Sequence, residues 1–171
     1  MKRILIAGLG NIFMGDDGFG VEVVQQFPRE ALPPGVFVKD FGIRGYDLAY
    51  ALADNYDAAI LVDAIPRGDL PGTVYLLEPD VEALGELDRL SVNGHGMGPG
   101  CALQMAKALG GCPARVYFVG CEPASLDSDQ GRMGLSGAGQ SAVPRAIEMI
   151  QQLVGGLLES ETNIELGAKP A

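Results

Sequence analysis

Three short apolar runs limit what this chain can fold into. They are Arg3-Ile-Leu-Ile-Ala-Gly8, Asp57-Ala-Ala-Ile-Leu-Val-Asp63 and Arg115-Val-Tyr-Phe-Val-Gly120. None alternates polar with apolar, so each reads as a strand covered on both faces, the habit of parallel sheets. A fourth run at 35–40 completes the pattern. Helical spacing separates them: 18–27 places Val21, Val24 and Phe27 on one face, and 46–55 places Leu48, Ala51 and Leu52 together. Residues 99–109 read as a helix closed by Gly110 and Gly111. Only nine residues separate Asp63 from Thr73-Val-Tyr-Leu-Leu-Glu78, too few for a crossover helix. That strand must therefore run antiparallel, at an edge. A short helix is expected within 79–90, and a last helix over 142–158 with Pro144 in its first turn. The expected fold is a three-layer α/β/α sandwich on a mostly parallel five-stranded sheet with one antiparallel strand. Residues 1–158 form the single domain and 159–171 a frayed tail.

Composition excludes several functions. With 12 Lys and Arg against 22 Asp and Glu, the formal net charge is −10 and no basic cluster occurs. A nucleic-acid partner is not expected, whereas a cationic partner or a metal ion suits the charge. Three irregularly spaced cysteines make no disulfide framework. Cys101 is expected in the core and Cys121 at a buried strand end. The N-terminus reads as a first strand, not a signal peptide. No apolar run reaches bilayer-spanning length. The expectation is a cytoplasmic monomer.

In open α/β sheets ligands bind beyond the carboxyl ends of the strands. The loop there after the first strand is Gly8-Leu-Gly-Asn-Ile-Phe-Met-Gly-Asp-Asp-Gly-Phe-Gly20. Phe13 stands where a dinucleotide fingerprint needs its third glycine, and no Gly-Lys-Ser/Thr follows. Asp16 and Asp17 would repel a phosphate and favour a cation. Asp16 is read as an ordinary helix N-cap, Asp17 as a site residue. Asp63 ends a central strand at the same edge. His95, the one histidine, lies in Asn93-Gly-His-Gly-Met-Gly-Pro-Gly100, a loop before a helix. Two carboxylates and an imidazole form an O/O/N set suited to a borderline divalent metal with positions left open. Gly134-Leu-Ser136-Gly-Ala138 misses the nucleophile elbow at its last position.

These residues together resemble the nickel-iron hydrogenase maturation proteases. The family's opening Gly-x-Gly-Asn followed by Asp-Asp/Glu-Gly is matched by Gly8 to Gly18, its strand-ending acid by Asp63, and its loop histidine by His95. The exit Val119-Gly-Cys-Glu-Pro-Ala-Ser-Leu-Asp127 is also similar. The resemblance spans about residues 3–155. It implies an endopeptidase that removes the C-terminal extension of a [NiFe]-hydrogenase large-subunit precursor after nickel insertion. Asp17, Asp63 and His95 would be its catalytic and metal-contacting residues. The nickel would come with the precursor, with no permanently bound metal required. The residues leave the chemistry open: a metal could polarise the scissile carbonyl or a bound water, with Asp16 or Asp17 taking the proton, or the nickel could only position the peptide. The alternatives are a non-catalytic nickel chaperone or docking protein using the same ligands, and a nucleotide-binding module.

Overall fold

The computed structural model describes residues 1–80, 97–126 and 131–165, the last five as backbone. Among these, five strands form one sheet: β1 Ile4–Leu9, β2 Val36–Gly42, β3 Ala58–Ala64, β4 Val74–Leu77 and β5 Arg115–Cys121. Their order is β2-β1-β3-β5-β4. The first four in that order are mutually parallel, and β4 pairs antiparallel to β5, with Val74 opposite Cys121. The expected edge strand is therefore present.

Every side chain of β1 and β3 is buried, as the unbroken apolar runs require. Period-two alternation divides them between two cores. Ile4, Ile6, Ile60, Val62 and Val119 face helices α1 (Phe19–Gln26) and α4 (Gly137–Glu165). Leu5, Ala7, Leu61, Val116 and Phe118 face α2 (Gly45–Leu52) and α3 (Pro99–Ala108). Two cores, one on each side of the sheet, make the three-layer sandwich. No helix among the described residues is long and apolar enough to cross a membrane.

Several expectations are corrected. The last helix begins at Gly137, not 142, which puts Pro144 inside it rather than in its first turn. Its start is set by Ser136, whose Oγ accepts from the Gly139 N–H at 3.1 Å. Proline forfeits one backbone bond in a helix interior. Burial of Ala142, Val143, Ala146, Ile150 and Val154 along the same face carries the helix through. It continues to Glu165, so the tail expected from 159 is helical as far as that residue. Lys2 Nζ donates to the Leu157 carbonyl at 2.7 Å and to Ser160 Oγ at 2.8 Å, tying this end to the N-terminus. Cys101 is exposed, not core, because α3 buries the face bearing Ala102, Leu103 and Ala106. The helix expected within 79–90 lies, from residue 81 on, outside the described residues.

The strand order changes direction between β1 and β3: β1 connects outward to β2, and β3 lies on its other side. The loops leaving their carboxyl ends must separate there and open a crevice. Helix α1 enters that crevice very close to the sheet. A Cβ on Gly20 would stand 1.9 Å from the Val62 carbonyl oxygen and 2.5 Å from that of Leu9. Both obstacles are backbone, so neither can swing aside. Gly20→Ala should therefore push α1 off the sheet at an overpacking cost of about 1–3 kcal/mol. The expected drop in Tm is about 2–12 °C by thermal melting, at about 2–4 °C per kcal/mol for this size.

Candidate active site

Asp17 lies in a single 3₁₀ turn, Gly15–Gly18, between β1 and α1. The chain reaches it through Gly10, whose φ is +119° and whose missing Cβ would overlap the Asp17 carbonyl oxygen at 1.8 Å. Both facts exclude a side chain there. The loop doubles back on itself at that point, and the Asn11 N–H donates to Asp17 Oδ2 at 2.9 Å. Asp63 is the penultimate residue of β3, the central strand, and its Oδ1 accepts from the Ala64 N–H at 2.8 Å. Asp17 is 1% exposed and Asp63 3%. The switch point thus brings both expected carboxylates together, and nearly dry.

Their electrostatics follow from that placement. Burial pushes the Asp17 carboxyl above its ordinary range, opposed by the Asn11 N–H. Asp63 is pushed well above its range, first by burial and then by the negative charge of Asp17, against the lowering effect of the Ala64 N–H. Among the described residues, no Lys or Arg forms an ion pair with either carboxylate. The pair therefore holds a proton more tightly than free aspartate does, and no cationic side chain among the described residues neutralises it.

The third expected ligand, His95, lies outside the described residues. Met97, where description resumes, packs against Gly45 at the start of α2. Gly45 lies just beyond the carboxyl end of β2, and the Gly42 carbonyl there accepts from the Gly10 N–H at 3.0 Å. Among the described residues no three of His, Cys, Asp and Glu gather closely enough to hold a metal ion. Two carboxylates are an incomplete ligand set by themselves.

Two further buried carboxylates lie at this end of the sheet. Asp16 is not the expected N-cap, for its side chain makes no bond to the turn that follows it. It accepts from the Ala124 N–H, the Ser136 N–H and the Ser136 hydroxyl, each at 2.8 Å. Both of its oxygens are therefore engaged within the protein. Glu122, directly after β5, was not apparent as important from its local sequence. Burial works to raise its pKa, but the Tyr75 hydroxyl and the Arg67, Gly68 and Asp69 N–H groups outweigh it and hold the carboxyl below its ordinary range. The Tyr75 hydroxyl and the Arg67 N–H both lie 2.7 Å from Oε2. Glu122 therefore pins the β3–β4 connection beside the crevice. The only local hint is an acid placed between a buried strand and Pro123. Cys121 is buried at the end of β5, and burial, with Asp16 nearby, pushes its thiol up to about 12, away from the thiolate a nucleophile needs.

Comparison with known proteins settles the family. A hydrogenase maturation protease family model matches residues 21–153. The chain belongs to the hydrogenase maturation protease family. It is 34% identical over 141 residues to the hydrogenase expression/formation protein HupD of Rhodobacter capsulatus, covering 81% of this chain and 66% of that one. It is 31% identical over 160 residues to the hydrogenase 2 maturation protease of Escherichia coli, covering 92% of each. The solved structure of the E. coli hydrogenase maturating endopeptidase HybD superposes with a TM-score of 0.71 at 29% identity, covering 92% of this chain and 93% of that one. The chain spans 66% and 65% of the length of the HupD proteins of R. capsulatus and Bradyrhizobium diazoefficiens, just under two thirds of each. Within this maturation-protease domain, the stretch matched by the family model holds Asp63 and His95, while Asp16 and Asp17 precede it.

The buried pair should cost stability. A carboxyl with a raised folded-state pKa contributes no penalty below its unfolded value; the penalty grows as pH rises from that value and is complete above the folded one. Asp63→Asn removes that charge at similar volume. Its Tm should exceed that of the wild type at pH 8, by about 2–4 °C for each kcal/mol recovered. The difference should shrink toward zero near pH 4. Melting curves of both proteins at the two pH values check this.

Proposed function

We propose that this protein is the endopeptidase that removes the C-terminal extension of a [NiFe]-hydrogenase large-subunit precursor after nickel insertion. In this reading Asp17, Asp63 and His95 contact the nickel that the precursor carries. The observation that carries it is the buried Asp17–Asp63 pair at the switch point, with no cationic side chain paired to either member among the described residues. Maturation proteases among the relatives, such as the E. coli hydrogenase 2 enzyme, support the reaction class.

The chemistry follows from the charges. Both carboxyls hold protons more tightly than free aspartate does. Where one of them carries a proton, an incoming divalent ion displaces it, so capture of the ion is coupled to deprotonation of the pair. The ion supplies Lewis-acid polarisation to the scissile carbonyl or to an attacking water. Hydrolysis then breaks the peptide C–N bond, with water oxygen joining the carbonyl carbon and a proton passing to the departing amine. An imidazole from His95 would complete an O/O/N set and leave positions for the precursor's own ligands. The nickel is cargo, and the enzyme needs no metal of its own.

The test mixes purified enzyme with nickel-loaded precursor and follows the large subunit by mass spectrometry. The wild type should shorten it and leave nickel-free precursor intact. His95→Ala should abolish shortening with an unchanged melting curve. Full processing by His95→Ala would refute the ligand assignment. Stable binding without shortening by the wild type would identify a nickel chaperone instead.

A further inference from the structure

Asp16 and Asp17 are neighbours in sequence, both buried, yet they serve different parts of the molecule. The Asp17 carboxylate turns back to Asn11 and toward Asp63. The Asp16 carboxylate turns away, to residues 108 and 120 positions downstream. We infer that Asp16 is a positioning residue: its carboxylate clasps Ala124 and Ser136 and so fixes the turn that presents Asp17.

Three donors converge on it. Oδ1 takes the Ser136 N–H, while Oδ2 takes the Ala124 N–H and the Ser136 hydroxyl. Ser136 in turn caps α4 through Gly139, so the clasp reaches the start of the longest helix. The contact is reinforced alongside by the Gly15 N–H, which donates to the Arg132 carbonyl at 2.7 Å. Bonds to a charged acceptor are stronger than neutral ones, and a buried network satisfied in this way is rigid. The 3₁₀ turn is only four residues long. Any loosening at Asp16 is passed through one peptide unit to Asp17. A displacement of about 1 Å at a catalytic group costs on the order of 100-fold in rate.

An asparagine at this position keeps one oxygen but turns an NH₂ toward donors, so it breaks the clasp without emptying the site. Removing the Ser136 hydroxyl alone leaves both backbone bonds. The experiment compares Asp16→Asn, Ser136→Ala and the double variant. Its kinetic arm rests on the proposed function, because it reads shortening of nickel-loaded precursor. Expected for Asp16→Asn is a kcat lower by about tenfold or more, with KM within about threefold. Ser136→Ala should lose about threefold in kcat, and the double variant should be no slower than Asp16→Asn, since partners in one network are not additive. Wild-type kcat in Asp16→Asn, or in Ser136→Ala should the former not fold, would overturn the assignment. So would losses that multiply in the double variant, or that appear only in KM.

A second arm needs no substrate. Amide exchange at Ala124 and Ser136 should accelerate by about tenfold in Asp16→Asn, while amides of β1 and β3 stay within about twofold of wild type. Unchanged exchange at both positions would sink the clasp whatever the enzyme does. If the wild type shortens no precursor, the proposed function fails, and the exchange arm still decides whether the clasp exists.

Discussion

Two carboxylates buried side by side, with no paired cationic side chain among the described residues, set the terms for this structure. Taking such charges out of water is costly, and a single backbone donor to each does not offset it. A flexible scaffold would relax until water reached them. Here the surroundings do not yield. Asp63 belongs to a strand paired on both sides and sealed on both faces. Asp17 sits on a turn between Gly10, which approaches its carbonyl oxygen, and α1, whose Gly20 approaches the backbone of β3 and β1. The sandwich thus supplies the energy that keeps the pair in place.

The four buried acids at this end of the sheet show how burial alone fails to define a site. Asp16 accepts three hydrogen bonds and Glu122 is surrounded by donors, so both are satisfied by the protein itself. Their work is to hold connections: Asp16 the segment after β5, Glu122 the turn after β3. Asp17 and Asp63 each receive one N–H among the described residues and repel one another. The contrast in donors, not in exposure, separates the two acids the protein satisfies from the two it does not.

Much of the architecture was legible because its signals are local. Unbroken apolar runs become two-faced strands, and the nine-residue gap before Thr73 leaves no room for a crossover. Asp17 and Asp63 could be placed because strand ends and the switch-point rule need only element order. What escaped was long-range. Nothing beside Asp16 announces a bond to Ser136, and without that bond its position before a helix reads as a cap. The start of α4 is hidden for the same reason, since the residues around Ser136 read as a broken nucleophile motif and only the folded chain shows the cap. Cys101 has apolar helix neighbours that suggest the core, but it sits on the outer face.

On the proposed reading, the tension in the Asp17–Asp63 pair also explains how cargo would be told from free metal. Carboxyls that bind protons more tightly than usual make a stray ion compete with protons for the site, which weakens its hold. An ion fixed in a large protein partner does not face that competition alone. Contacts between the two proteins raise its effective concentration at the pair, by orders of magnitude when the geometry allows both engagements together. A site too weak to keep an ion for itself, on a scaffold stiff enough not to collapse around its absence, is then the arrangement that responds to a loaded precursor and ignores an empty one.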